Sequence, residues 1–368
     1  MKKYLVVDLS LRYHLDLGET ADRLGIALLP DCEIVTEITE QIKQDTRKKI
    51  VVVQWWYWGG TDLTPIDLSW ADLVICYTGE LINGPWNRYY QKTLAKFNNA
   101  NFICVVNGHY QLDSYPKDQV FDQLGYFFSK IANECYYEDW QTPTAKPKLF
   151  DALLGITGVA KPHRAFIFSR LKEHNLLDKS FVNAWGEINY TSPELAELDD
   201  PAIQSHRHTI KQDSSMMTIS GIKNGTSMSH SIPIEIYRQS WYSIVAETGS
   251  DNSLFLTEKT AKPLFEQRLF VLFGSQGLLK RLQDQGYQTF GSVIDESYDN
   301  EPDNIKRWSM AFDQVLALAN SDPHVIYQKL EPVLAHNYTR ICNHASRLVL
   351  LKDFLNAHIY SLDNIPTK

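Results

Sequence analysis

The sequence predicts an α/β protein made of two Rossmann-like, doubly wound domains facing a cleft. Three observations carry that expectation. In the first half, short β-branched apolar runs alternate with polar stretches of helical length. Near residue 145 a segment rich in proline and small polar residues breaks the alternation, and beyond it the alternation starts again. Strands buried on both faces of a parallel sheet read as unbroken apolar runs, and helices supply the crossovers between them.

Tyr4–Val7, Ile50–Val53, Leu73–Cys76 and Phe102–Val106 are the expected strands of the first domain, with Asn87–Phe97 a helix. The run Gln141-Thr142-Pro143-Thr144-Ala145-Lys146-Pro147-Lys148 reads as an interdomain linker. The second domain opens with a strand at Leu149–Leu154, a helix at Arg164–Asn175 and a strand at Phe181–Trp185. The polar stretch 192–231 lacks strand signals and reads as irregular, with short helices. A strand follows at Ser243–Ala246, then a helix at Glu258–Gln267 that Pro263 kinks or shortens, then a strand at Leu269–Phe273. Helices at Arg307–Ala319, Val325–Ala335 and Tyr338–Ala357 complete the chain. The expected domains are 1–145 and 146–340, with 341–368 a C-terminal helix crossing back to the first.

The bulk numbers agree with two folded domains. The chain has 368 residues, 44% of them hydrophobic, enough for two cores. The apolar run at the N-terminus is too short for a signal peptide and stops at Asp8, and no stretch is long enough to span a bilayer. The five cysteines Cys32, Cys76, Cys104, Cys135 and Cys342 are scattered and odd in number, which suggests reduced, buried thiols in a cytoplasmic protein. A formal net charge of -8 argues against general nucleic-acid binding, because phosphate contacts need Lys and Arg.

The most informative stretch runs from Glu247-Thr248-Gly249-Ser250-Asp251-Asn252 to Thr257-Glu258-Lys259-Thr260. An apolar strand leads into a polar turn and then into the start of a helix. Thr257 suits the N-cap, since its hydroxyl can accept from a free backbone N–H. A helix N-terminus attracts anions, and Lys259 adds a full positive charge there. Glu258 can accept from two ribose hydroxyls. These residues together describe a nucleoside-diphosphate site. The competing reading is a capped surface helix with one Glu and one Lys in its first turn.

The order of this segment resembles the donor-binding segment of the fucosyltransferases that act on N-acetylglucosamine. There a strand ends in Glu-Asn-Ser, a short loop follows, Thr-Glu-Lys opens a helix, and a strand and glycine turn come next. Leu269–Phe273 and Gly274-Ser275 stand for the last two here. The resemblance implies the two-domain GT-B fold and a nucleotide-sugar donor, a GDP- or UDP-sugar. It places Glu258 on the ribose, Lys259 on the diphosphate and Glu247 near the transferred sugar or ribose, with Asn252 and Thr257 in the same donor segment. Thr248 departs from the family's Asn, and the loop is slightly longer. The family's second domain also opens with a strand, a small-residue loop and an arginine at a helix start that reaches the diphosphate. Leu149–Leu154, Gly155–Ala160 and Lys161-Pro162-His163-Arg164 match that order, which implies the same role for Arg164. The resemblance covers mainly residues 146–300.

The first domain offers Tyr77-Thr78-Gly79-Glu80 after the strand Leu73–Cys76. Ligands collect at the carboxyl ends of strands in open α/β sheets. A carboxylate there can deprotonate an acceptor hydroxyl, and a bacterial fucosyltransferase carries a similar Tyr-Thr-Gly-Glu with its glutamate as the proposed base. Glu80 is the candidate base and Asp62 its rival. Trp56 and Trp58 are candidates for stacking on an acceptor.

There is no Asp-x-Asp motif, no Walker loop, no Gly-x-Gly-x-x-Gly after the first strand and no Gly-x-Ser-x-Gly elbow. His206 and His208 have metal-pair spacing but no matching cluster, so no metal site is expected. The expectation is a metal-independent, inverting glycosyltransferase with no cofactor, acting on a glycan or other hydroxyl acceptor. One alternative is a glycosyltransferase for a modified DNA base, which needs the basic cluster Lys43, Arg47, Lys48 and Lys49. The other is a non-catalytic nucleotide-sugar-binding or scaffold protein.

Overall fold

The computed structural model describes residues 3–8, 31–35, 37–55, 68–78, 102–106, 109–110, 120–122, 128, 131, 146–156, 161–185, 232–250 and 253–364. The protein is α/β with two parallel sheets. The chain divides into two compact units, one formed by Met1–Tyr126 with His344–Lys368, the other by Phe127–Asn343.

The first unit holds β1 (Tyr4–Asp8), β2 (Cys32–Val35), β3 (Lys48–Trp55), β4 (Leu73–Thr78), β5 (Phe102–Val106) and β6 (Val120–Asp122). They form a six-stranded sheet in the order β2-β1-β3-β4-β5-β6, every neighbouring pair parallel. Val6, Val7, Ile50, Val51, Ile75, Ile103 and Val105 are fully buried, as strands covered on both faces require. β2 was not expected, because Cys-Glu-Ile-Val alternates with polar residues and Glu33 and Ile34 are exposed on this edge strand. β6 has only three residues, too few for a periodicity signal. The short helix α1 (Glu40–Lys43) is capped by Thr39, which accepts from Ile42 N. Tyr4 and Lys3 both donate to Asp363, tying β1 to the end of the chain.

The second unit holds β7 (Lys148–Ile156), α2 (Pro162–Glu173), β8 (Ser180–Trp185), α3 (Ile234–Gln239), β9 (Ser240–Ala246), α4 (Glu258–Phe265), β10 (Phe270–Phe273), α5 (Leu278–Asp284), α6 (Asn304–Ala319) and α7 (Pro323–Cys342). Four of its strands form a parallel sheet in the order β10-β9-β7-β8. α2 starts at Pro162, whose missing N–H costs nothing at a first helical position. α4 ends two residues after Pro263, as expected, since proline cannot continue the i→i−4 ladder. α6 is capped by Asp303 and buries Trp308, Ala311, Phe312, Val315 and Leu318, one stripe at helical spacing.

Two expectations are corrected. The linker reading extended through Lys148, but β7 already begins there. The sequence divides the C-terminal helices between Ala335 and Tyr338, yet α7 runs unbroken to Cys342 and the break falls at Asn343, before α8 (His344–Ser361). Leu330, Leu334, Asn337 and Ile341 carry the buried stripe of α7 through the expected gap, so packing holds it helical. Cys342 is exposed rather than buried, while Cys32 is buried, and neither is in a disulfide.

The sheet of the second unit carries a buried ion pair near its amino ends. Arg268, just before β10, donates to Asp151 of β7 at 2.5 Å. Asp151 also accepts from the hydroxyls of Ser240 and Ser243 on β9, both at 3.0 Å. Arg268 lies over the Tyr237 ring and donates to the carbonyls of Tyr237 and Ser240. A buried pair holds only when its remaining donors and acceptors are met in this way.

Candidate functional site

β7, β9 and β10 of the second unit run parallel, so their carboxyl ends share one edge of the sheet, where such sheets bind ligands. Two helices begin just beyond it, α2 after β7 and α4 after β9. Each directs the positive end of its dipole toward that edge. The register between β7 and β8 shifts between Leu153 and Gly155, where Gly155 takes φ 65, in the left-handed region. A Cβ at Gly155 would stand 3.4 Å from Arg164 Nη1, so the guanidinium lies against bare backbone at this strand end.

Glu247 is the centre of the arrangement. It follows the last residue of β9 and is fully buried. Its amide donates to Phe273 O at 2.9 Å, which extends the ladder with β10 by one residue. Its carboxylate accepts from Thr257 N at 2.9 Å, Thr257 Oγ1 at 2.7 Å, Thr260 Oγ1 at 2.5 Å and Thr248 N at 3.1 Å. A carboxylate offers about four lone-pair sites, so these contacts fill it. The Glu247 side chain ties the end of β9 to the first turn of α4. Its carbonyl accepts from His163 Nε2 at 2.7 Å and from Arg164 Nη2 at 3.4 Å, both on α2. Gly274 packs beside it: a Cβ there would lie 3.4 Å from Glu247 Cβ and 2.5 Å from Leu278 Cδ1.

Thr257 caps α4, its hydroxyl accepting from Lys259 N at 3.3 Å. Lys259 Nζ donates to Glu258 Oε1 at 2.7 Å, Thr248 Oγ1 at 3.2 Å and Thr257 Oγ1 at 3.4 Å. Burial raises the pKa of Glu258, but Lys259 and Lys262 outweigh it and hold the carboxyl below its ordinary value. The Lys259 side chain keeps 26% of its exposure, against 9% for Glu258, so it is the solvent-facing member of the pair. Arg164 is buried, and burial lowers its pKa to about 10 against the opposing pull of Glu247 and Glu258. At neutral pH the guanidinium is still charged.

Lys161 and His163 were not singled out in the sequence, although they flank Pro162 in the run that contains Arg164. Lys161 Nζ donates to the Thr248 carbonyl, so two ammonium groups meet one threonine, Lys161 on its carbonyl and Lys259 on its hydroxyl. His163 is fully buried, and its pKa is driven well below the ordinary histidine value. Burial is the main cause, and Arg164, Lys161 and Lys259 add to it against the bond to Glu247. The signal for both lay in the spacing: residues at the N-cap and first turn of a helix that follows a strand point back at the strand end.

The structure thus brings together Arg164, Glu247, Thr257, Glu258 and Lys259 from the sequence reading. Asn252, Glu80, Asp62, Trp56 and Trp58 lie outside the described residues, as do His206 and His208. No group of three or more His, Cys, Asp or Glu able to hold a metal occurs among the described residues. None of their helices is long and apolar enough to cross a membrane. The basic cluster at the start of β3 is answered by carboxylates. Arg47 pairs with Glu33 at 2.5 Å and Asp45 at 2.7 Å, Lys43 with Glu40 at 2.7 Å, and Lys48 lies 3.9 Å from Asp72. It also sits at the amino end of β3, opposite the edge where α/β sheets bind ligands.

No known protein family model matches the chain, and no curated protein does. Among solved structures, it is similar to an α1,3-fucosyltransferase with GDP, at 11% sequence identity and a TM-score of 0.47, over 99% of this chain and 91% of that one.

Proposed function

We propose that the second unit binds the nucleoside diphosphate of a nucleotide sugar and that the protein is a glycosyltransferase of the fucosyltransferase type. The observation that carries this reading is the gathering of Lys161, Arg164 and Lys259, with the N-termini of α2 and α4, around Glu247 and Thr248. Among the described residues, Lys262 adds a fourth cation near the carboxylates of Glu247 and Glu258. A sugar-linked diphosphate carries two negative charges, and a cluster rich in Lys and Arg suits such an anion.

In the transfer, the oxygen of an acceptor hydroxyl forms a bond to the anomeric carbon. The bond from that carbon to the diphosphate oxygen breaks, and the nucleoside diphosphate leaves with the electron pair. Direct attack inverts the configuration. A base takes the hydroxyl proton; Glu80 is our candidate and Asp62 the alternative. Lys259 and Arg164 stabilise the charge that grows on the diphosphate, a role that needs no metal. The donor is a GDP- or UDP-sugar.

The test is a thermal-shift series with GDP- and UDP-sugars, followed by calorimetry. A ligand that binds only the folded state raises stability by mass action, about 2.7 kcal/mol at a hundredfold excess over Kd. We expect one of the two to raise the melting temperature and to be turned over in the presence of EDTA. Binding of neither nucleotide overturns the reading.

A further inference from the structure

Two helix N-termini can grip one diphosphate only if the distance between them is fixed. α2 and α4 come from chain segments far apart in sequence; one link between them passes through Glu247, beside the one through Thr248 that takes Lys161 on its carbonyl and Lys259 on its hydroxyl. On one side, the first turn of α2 reaches the main chain of Glu247 through His163. On the other, the carboxylate of Glu247 holds the amide and hydroxyl of Thr257 and the hydroxyl of Thr260 in α4. A carbonyl oxygen only accepts, so His163 Nε2 carries the proton; burial and the neighbouring cations keep the ring neutral, as the Nε2–H tautomer. The ring is fully buried, packs at 5.9 Å from Trp308 of α6, and its Nδ1 has no hydrogen-bond partner among the described residues. Charging it would place a further cation beside Arg164, Lys161 and Lys259. It therefore serves as a fixed donor and not as a proton carrier.

We infer that His163 is a positioning residue: by holding the Glu247 carbonyl it sets the spacing between Arg164 on α2 and Lys259 on α4, and so tunes the site for a nucleoside diphosphate. This rests on the reading of the site given above. Arg164 makes the only other described contact to that carbonyl, and its 3.4 Å is long for a hydrogen bond. His163 provides the short one, at 2.7 Å. Without it, Arg164 shifts onto the vacated acceptor and is drawn off the ligand.

The experiment compares GDP and UDP binding by the unaltered protein, His163→Phe, His163→Gln, Lys259→Ala and the double variant His163→Phe with Lys259→Ala. His163→Phe keeps a ring against Trp308 but removes the donor; His163→Gln retains an N–H that reaches the carbonyl. We expect His163→Phe to weaken binding of the preferred nucleotide by about tenfold or more, the loss of one hydrogen bond to a coupled group, and His163→Gln to restore most of it. In the double variant the His163→Phe loss should shrink, because contacts that act through one another are not additive. Native-like binding by a folded His163→Phe overturns the inference, as does full additivity with Lys259→Ala or a His163→Gln variant no better than His163→Phe. If the unaltered protein binds neither nucleotide, the reading of the site falls first and the inference with it, and that outcome is visible without any variant.

Discussion

Glu247 and Thr257 are joined twice: the Thr257 amide donates to one carboxylate oxygen at 2.9 Å and its hydroxyl to the other at 2.7 Å. The same hydroxyl accepts from Lys259 N, so one side chain caps α4 and docks it on the end of β9. Thr257→Val keeps the shape and removes both functions. Losing a cap costs about 1 kcal/mol, and leaving a buried carboxylate short of a donor adds about 1–3 kcal/mol. Denaturant unfolding should therefore show a loss of about 2–4 kcal/mol. A variant as stable as the unaltered protein would refute the docking role.

Lys259→Ala removes a partly exposed ammonium of the site while leaving Thr257 and Glu247 in place. A charge-assisted contact to phosphate is worth about 1.5–3 kcal/mol. Nucleotide affinity should fall roughly ten- to a hundredfold with an unchanged circular dichroism spectrum. Unchanged affinity removes Lys259 from the site.

Arg164→Lys tests geometry more than charge. The guanidinium is buried against the bare backbone of Gly155 and over the Glu247 carbonyl. Lysine cannot supply the planar fork that spans two acceptors. The expected result is roughly five- to tenfold weaker nucleotide binding, the value of about one hydrogen bond. Calorimetry at constant salt reads it, and a silent substitution contradicts the assignment.

Stability should fall with pH across the acid range because of Glu266. Burial raises its pKa to about 7, against the counter-pull of Arg268, Arg238 and Lys146. The folded state then binds a proton that the unfolded chain has released. The stabilisation is complete below about 4.5, where unfolded glutamate titrates, and is lost as pH rises through about 7. The difference corresponds to roughly 3 kcal/mol at most. Lys146 works the other way: burial, with Arg268, lowers its pKa to about 7, so its cost is relieved as pH rises from there toward 10.5. Urea midpoints at pH 5 and pH 8 for the unaltered protein and Glu266→Gln measure the first slope, which the variant should lack. An identical slope in both would assign it elsewhere.

Glu80→Gln addresses the chemical step. It keeps size and hydrogen bonding and removes the proton acceptor. As the base, Glu80 contributes roughly 100- to 10,000-fold to turnover. A fall in kcat of that order with donor affinity intact supports the assignment; near-normal turnover passes the role to Asp62.

Much of the fold is legible in the sequence because parallel strands advertise themselves. Ile50–Val53 and Phe102–Val106 are unbroken apolar runs, and both lie inside or upon observed strands. The edge strand Cys32–Val35 escapes notice because half of it faces solvent. The helix Pro323–Cys342 is divided wrongly in the sequence because His336 and Asn337 interrupt the apolar pattern, while Asn337 is in fact buried. Its side chain bridges to the main chain of Gln288, a satisfaction that no local pattern reveals.

By itself the sequence determined the local features of the site: the strand ending at Ala246, the Thr257 cap, and a helix that starts with Glu258 and Lys259. These depend on residues within one turn of each other, where propensity and capping act. What only the tertiary structure decided is the direction of Glu247 and the company it keeps. His163 lies 84 positions away in the chain, yet it donates to the Glu247 carbonyl, because β7 and β9 are neighbours in one parallel sheet. That pairing puts the ends of both strands, and so the starts of both helices, on one edge. Glu247 acts as an internal anchor because four donors surround its carboxylate, and a buried carboxylate is stable only when its oxygens are satisfied.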